Sequence, residues 1–188
     1  MITNYNSCES VTLAGIDARC DVSFGGVKRI LVGIRDEWDV TVEDVSGVTY
    51  VTSISAKTGV SNPYFVEFKF RRNTANYTST SAPDNAIGNS FVTTDVNLQF
   101  SKAEAKKRMI IQSLINSGDM SMIIEDMYGQ YIFLGKDTSV VVTNAVQQSG
   151  TAQSDLNGFT LTLQDISLEL PHFIDESFDV DSLIGGNE

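Results

Sequence analysis

The stretch that most constrains the fold is residues 91–117, FVTTDVNLQFSKAEAKKRMIIQSLINS. From Phe91 to Phe100 the chain alternates. Val92, Val96, Leu98 and Phe100 fall on one side; Thr93, Asp95, Asn97 and Gln99 fall on the other. A period of two marks a strand with one dry face and one wet face. A helix pattern follows at once. Ser101 and Glu104 have capping-box spacing, worth about 1 kcal/mol when the box forms. Ala105, Met109 and Gln112 share one line. Ala103, Ile110, Ile111, Leu114 and Ile115 fill the adjoining stripe, which leaves Lys102, Lys106, Lys107 and Arg108 to solvent. Gly118 is placed to end the helix in the left-handed conformation. The frame this implies is one helix set against many strands.

The rest of the chain supplies the strands. Val27 to Ile34, Trp38 to Val45 and Val48 to Ala56 are rich in β-formers and separated by turn residues. Tyr64 to Arg72 alternates, with Val66, Phe68 and Phe70 against Phe65, Glu67, Lys69 and Arg71. Residues 73–90 are polar and hold few large apolar groups, so 64–100 reads as one long hairpin with an extended tip or loop. Met120 to Glu125, Gln130 to Leu134, Ser139 to Val146 and Phe159 to Leu170 complete the set, and 118–170 reads as a meander. The expected fold class is mainly β: an antiparallel β-sandwich or open barrel with one flanking α-helix. Residues 1–170 form a single domain in this reading, opened by a polar arm over residues 1–10. Residues 171–188 form an acidic C-terminal arm.

The chain carries a formal charge of −11. That argues against wrapping a nucleic-acid backbone, which needs clustered Lys and Arg. The longest apolar runs fall far short of the ~20 residues of a membrane helix. The first residues, MITNYNSCES, show no signal-peptide pattern, so a cytoplasmic site of synthesis is expected. The two cysteines, Cys8 and Cys20, read as reduced thiols, and their spacing fits no zinc pattern.

Catalytic motifs are missing. There is no P-loop, no dinucleotide-binding glycine pattern and no nucleophile elbow. The lone histidine, His172, lacks a second histidine and reads as peripheral. Asp155-Leu156-Asn157-Gly158 has half a calcium loop without its later ligands, and reads as an Asx-type turn. No catalytic residue, cofactor or metal ligand is expected.

The second half, with GQYIFLGKD, the Gln-Gln-Ser-Gly-Thr-Ala connection and SDLNGFTLTLQDI, resembles tail-tube-type proteins of tailed bacteriophages. The family phrase falls on Gly150, Ala152, Asp155, Asn157, Gly158, Phe159, Leu161 and Leu163. The early GGVKRILVGIRDEW is similar to first-strand phrases from phages of Bacteroidales hosts, including the crAss-like group. The resemblance covers residues 25–45 and 90–170, and IDESFDVDSLIGGNE lies outside the family phrase.

The resemblance implies a structural virion protein. It would assemble in the host cytoplasm into a homo-oligomeric ring, six- or twelve-fold, in the phage tail, around a channel for DNA or ejected protein. Neighbouring tail, portal or adaptor proteins would be its other partners; DNA would pass only transiently, and no membrane is involved. The lumen-facing residues would be Glu67, Lys69, Arg71, Thr93, Asp95, Asn97 and Gln99. The divergent tail raises the alternatives of a head–tail adaptor, a tail terminator or a capsid-decorating protein. Further alternatives are a glycan- or protein-binding β-sandwich and, last, an enzyme.

Overall fold

A computed structural model describes residues 25–71, 73–84, 89–152 and 154–185. The expectations for Cys8, Cys20 and the N-terminal arm lie outside the described residues.

Among the described residues, eleven strands, one α-helix and two short 3-10 turns follow in the order β1 Val27–Ile34, β2 Trp38–Val45, β3 Val48–Ala56, β4 Val66–Lys69, β5 Ala75–Asp84, β6 Asn89–Ser101, α1 Ala105–Ser117, β7 Met120–Asp126, β8 Tyr131–Leu134, β9 Val141–Gln148, β10 Gly158–Ser167 and β11 His172–Phe173. The 3-10 turns are Arg35–Glu37 and Val180–Leu183. The strands make a five-stranded sheet, β11-β8-β7-β1-β4, a four-stranded sheet, β5-β6-β10-β9, and a separate β2–β3 hairpin. All pairings between these strands are antiparallel. The fold is a β-sandwich with one helix, and neither sheet closes into a barrel.

The hydrophobic pattern explains the layering. β7, MSMIIED, is buried at six consecutive positions, and β1 carries the run Ile30, Leu31, Val32 and Gly33. An unbroken apolar run suits a strand covered on both faces. The five-stranded sheet is covered in that way. One face packs Ile30, Val32, Met122, Ile124, Ile132 and Leu134 against Val96, Leu98, Phe159, Leu161 and Leu163 of the four-stranded sheet. The other packs Leu31, Ile123 and Phe133 against the β2–β3 hairpin and a C-terminal segment, through Trp38, Val51, Ile54, Ile174, Val180 and Leu183. β10 alternates instead, because only one face of its sheet is covered.

Several expectations change. The 64–100 hairpin does not exist. β4 pairs with β1 in the five-stranded sheet, with Arg29 opposite Lys69 and Ile30 opposite Phe68. The true hairpin is β5–β6, in register from Ala75–Leu98 to Asp84–Asn89, so most of the supposed tip is strand. Residues 118–170 are no meander: β7 and β8 belong to one sheet, β9 and β10 to the other.

The C-terminal residues, expected as an arm, lie in the second core. β11 pairs with β8, Ile174 bridges to Val51, and the Leu183 carbonyl accepts the Phe65 N–H at 2.9 Å. This segment closes apolar surface that the hairpin alone leaves open, which is why an acidic sequence stays on the body.

The helix also differs in detail. Ser101 is the last residue of β6, and Glu104 is the N-cap with no side-chain capping bond. Its carboxylate pairs with Lys102 and Lys107 instead. Gly118 does end the helix, at φ +58°. Only Ile111 is buried, with Leu114 packed beside it. The helix crosses from β6 to β7 along the rim of the sandwich, so most of its apolar stripe, Met109, Ile110 and Ile115, stays exposed.

Candidate assembly face

The uncovered face of the four-stranded sheet is built by alternation. Along β6, Val92, Thr94, Val96 and Leu98 are buried, so Thr93, Asp95, Asn97 and Gln99 project outward. The register adds the matching residues of the neighbours: Thr160, Thr162, Gln164 and Ile166 on β10, and Asn76, Thr78 and Thr80 on β5. Two cross-strand bonds fix the rows. Thr162 Oγ1 donates to Asn97 Oδ1 at 3.0 Å, and Gln164 Nε2 donates to Asp95 Oδ1 at 2.9 Å. Such pairs each contribute roughly 0.2–1 kcal/mol and stiffen the sheet. The face is mostly hydroxyl and amide; among these residues Ile166 is the one apolar side chain and Asp95 the one ionisable group.

At one end of the face lies a shallow groove of about 380 Å³, lined by Asn73, Thr74, Asn76, Asn97, Gln99 and Thr160, with Gly25 and Gly26 at its edge. It offers hydrogen bonds and no charge.

The sheet's borders are as telling as its surface. β5 and β9 are its edge strands, and among the described residues neither has a second partner strand. From Ala75 to Ala82 and from Val141 to Gln148 there is no charged residue. Native edges are usually short, covered or guarded by Lys and Pro. The five-stranded sheet obeys that rule: its edges, β11 and β4, are two and four residues long. The start of β4 is further covered by the C-terminal segment, where Phe65 bridges Ile184. β5 and β9 have ten and eight residues.

The residues expected to line a channel therefore divide. Thr93, Asp95, Asn97 and Gln99 share the open face. Glu67, Lys69 and Arg71 lie on or beyond β4, in the other sheet, and cannot face the same space. Glu67 is a counterion. Its side chain is 8% exposed, and it pairs with Arg29 Nη1 at 3.2 Å and Lys69 Nζ at 3.1 Å. Burial pushes its carboxyl up, but the hydrogen bonds from Lys69 and Arg29 outweigh this and hold it below the usual range.

Arg29 is the centre of that cluster. It also donates to Glu125, to Tyr131 Oη at 3.0 Å and to Asp181 Oδ1 at 2.7 Å, while Lys28 reaches Glu125 from outside. The Asp181 bond ties the C-terminal 3-10 turn to β1. Burial opposes the guanidinium charge, but the bonds to Glu125, Asp181, Tyr131 and Glu67 together raise its pKa.

Two further groups have settled structural roles. Asp155 Oδ2 accepts the N–H groups of Thr151 and Ala152, both at 2.8 Å, and so closes the loop before β10. These backbone bonds, to Ala152 and Thr151, hold its carboxyl below the usual range. His172 Nε2 lies 2.7 Å from Glu169 Oε1 and 3.1 Å from Lys136 Nζ, in β11. Among the described residues no three His, Cys, Asp or Glu side chains stand together to hold a metal ion, and no helix is long and apolar enough to cross a membrane.

No protein-family model, no curated protein and no solved structure matches the chain.

Proposed function

We propose that the protein is a structural ring subunit of a bacteriophage tail, whose four-stranded sheet joins that of its neighbours around a channel. The observation that carries this reading is the pair of long edges, β5 and β9, uncharged from Ala75 to Ala82 and from Val141 to Gln148, on a sheet with a mostly polar open face. The strands alternate in direction, so across four of them β5 and β9 run oppositely. Copies related by rotation about one axis keep each strand's sense along that axis. β9 of one copy then meets β5 of the next antiparallel, and a closed ring leaves no edge bare.

Six copies of four strands give 24 strands. At ~4.8 Å between strands and ~40° tilt, the barrel is about 48 Å across between opposite backbones. Among the described side chains, its inner face carries one carboxylate per copy, Asp95, the hydroxyls and amides of Thr93, Asn97, Thr162 and Gln164, and the apolar Ile166. A phosphate backbone meets no cation among these described residues, so duplex slides past without the counterion release that makes binding strong.

Light scattering on the purified protein, with negative-stain images of the same fractions, tests the reading. Rings or stacked tubes with a central hole are the expected result. A 20.5 kDa monomer that stays single at high concentration and in the presence of purified tail components overturns it.

A further inference from the structure

The connection between β8 and β9, residues 135–140, carries the chain from one sheet to the other. It is tied down at almost every residue. The Gly135 N–H bonds the Asp165 carboxylate, and the Val140 N–H bonds the Met120 carbonyl at 2.8 Å. Asp137 Oδ2 accepts the Leu168 N–H at 3.1 Å, and Thr138 Oγ1 donates to the Ile166 carbonyl at 2.6 Å. Ser139 Oγ donates to Asp119 Oδ1. Arg35, from the first 3-10 turn, donates to the carbonyls of Gly135, Lys136 and Asp137 at 2.9, 3.1 and 3.3 Å. Gly135, at φ +91°, lets this connection lie against β7: a Cβ there would stand 2.9 Å from the Met120 carbonyl oxygen.

Beneath the connection lies one group that it leaves unsatisfied. Asp165 faces inward from β10, 3% exposed, and its Oδ1 has no partner among the described residues. Thr94, opposite it on β6, is committed to Ser79, hydroxyl to hydroxyl at 2.8 Å. Of the charged groups nearby, Asp137 opposes ionisation of Asp165 and Arg35 favours it. Lys136, Glu169 and His172 are bonded to one another, and Asp119 is taken by Ser139. Burial outweighs the rest and pushes the Asp165 carboxyl up to about 6. A buried carboxylate short of partners gains from any opening that admits water.

The topology decides which side gives way. β10 is held on both flanks by ladders to β6 and β9. The connection is held by single bonds, and its Asp137 and Thr138 are exposed. Segments of that kind open locally before a central strand does.

We propose that residues 135–140 are a proton-operated latch: protonation of Asp165 holds them closed over β10, and its ionisation lets them lift away while both sheets stay folded. The start of β9 is released with them, so the way this edge strand is presented follows pH. The latch stands on the fold alone and not on the ring reading.

Amide hydrogen exchange on the full chain, read residue by residue by NMR at pH 5 and pH 7.5 and corrected for the intrinsic effect of pH, tests this. The opening equilibrium at Gly135, Val140 and Leu168 is expected to rise about tenfold between the two, as follows for a carboxyl that titrates near 6 when closed and near its ordinary 3.8 when open. The amides of Ile123 and Ile124, in the middle of the five-stranded sheet, should exchange more slowly at both values. Asp165→Asn, neutral at either pH, removes the rise. Asp137→Asn shrinks it, because it takes away a charge that opposes ionisation. No rise in the parent overturns the latch, and so does an equal rise in the Asp165→Asn protein. Exchange at the three amides no faster than at Ile123 and Ile124 overturns it too, because the opening is then that of the whole molecule.

Discussion

The ring of Phe65 fills the space that a side chain on Gly33 would need: a Cβ there would stand 2.9 Å from the ring. Gly33 sits on β1 opposite Ser121, so the missing side chain lets Phe65, and Trp38 stacked on it, reach the sheet. Gly33→Ala is expected to cost about 1–3 kcal/mol through overpacking. At ~2–4 °C per kcal/mol for a chain of this size, the melting midpoint falls by several degrees. Phe65→Leu in the same background should recover part of the loss. If the single substitution leaves the midpoint unchanged, the close approach is not a constraint.

Asp165 makes its own contribution to the pH dependence of stability. It lies on β10 facing inward, 3% exposed, with Oδ1 lacking a partner. Burial pushes its carboxyl up to about 6 against an ordinary 3.8; hydrogen bonds from the Gly135 and Ile166 N–H groups and the nearby Arg35 pull it only part of the way back. The sign is the reverse of a salt-bridged carboxylate. The folded form holds the proton more tightly, so ionisation destabilises it. The penalty is full above pH ~6, shrinks as pH falls from 6 towards 4, and is absent below that. Asp165→Asn is therefore expected to stabilise the protein by about 1–3 kcal/mol at pH 7.5 and by almost nothing at pH 4. Urea midpoints of both proteins at the two pH values check it, and equal gains at both would rule it out.

One partly buried cation, Arg29, adds to the packing that holds the C-terminal segment. Arg29→Met leaves Glu125, whose side chain is almost fully buried, without its main partner. Removing one member of a buried pair costs about 3–5 kcal/mol. Asp181→Asn removes an exposed partner of the same guanidinium and should cost at most about 1 kcal/mol. Limited proteolysis should cut the Arg29→Met protein between 172 and 185 much faster than the parent. Similar stability in the two variants would place the anchor elsewhere.

Much of this architecture is legible in single strands and little of it in their partnership. β1, β2 and β3 have the bounds their β-branched runs suggest, because each is flanked by turn residues. β5 is invisible to the same logic. Among the described side chains of ANYTSTSAPD only Ala75 and Tyr77 pack against the core, and strand formation comes from ten paired residues on β6. The alternation of 64–72 matches that of 91–100, but a period of two says nothing about which sheet a strand joins. That is why Glu67 looked like a lining residue and is a counterion. In the C-terminal segment the buried residues Ile174, Val180 and Leu183 follow no regular period, so nothing in the sequence alone marks them as core. The open face was half legible. The outward set on β6 follows from alternation, whereas Asn76, Thr78 and Thr80 needed the β5–β6 register.

Edge and face can be separated by where a lysine is placed. Val146 lies on β9 and Thr78 on β5, both exposed at the sheet's borders, whereas Thr162 lies on the inner strand β10. A lysine on a strand edge opposes edge-to-edge pairing. Val146→Lys with Thr78→Lys should leave the monomer's stability within about 0.5 kcal/mol of the parent and abolish rings, with the scattering mass falling to 20.5 kDa. Thr162→Lys adds the same charge without touching an edge. It should leave the ring mass unchanged and place one cation per copy on the channel wall, so that rings retain duplex DNA at low salt and release it above about 0.2 M. Rings that survive both edge lysines would show that β5 and β9 are not the joint. If Thr162→Lys rings keep their mass but hold no more DNA than the parent, the β6–β10 face is not the one that meets the duplex.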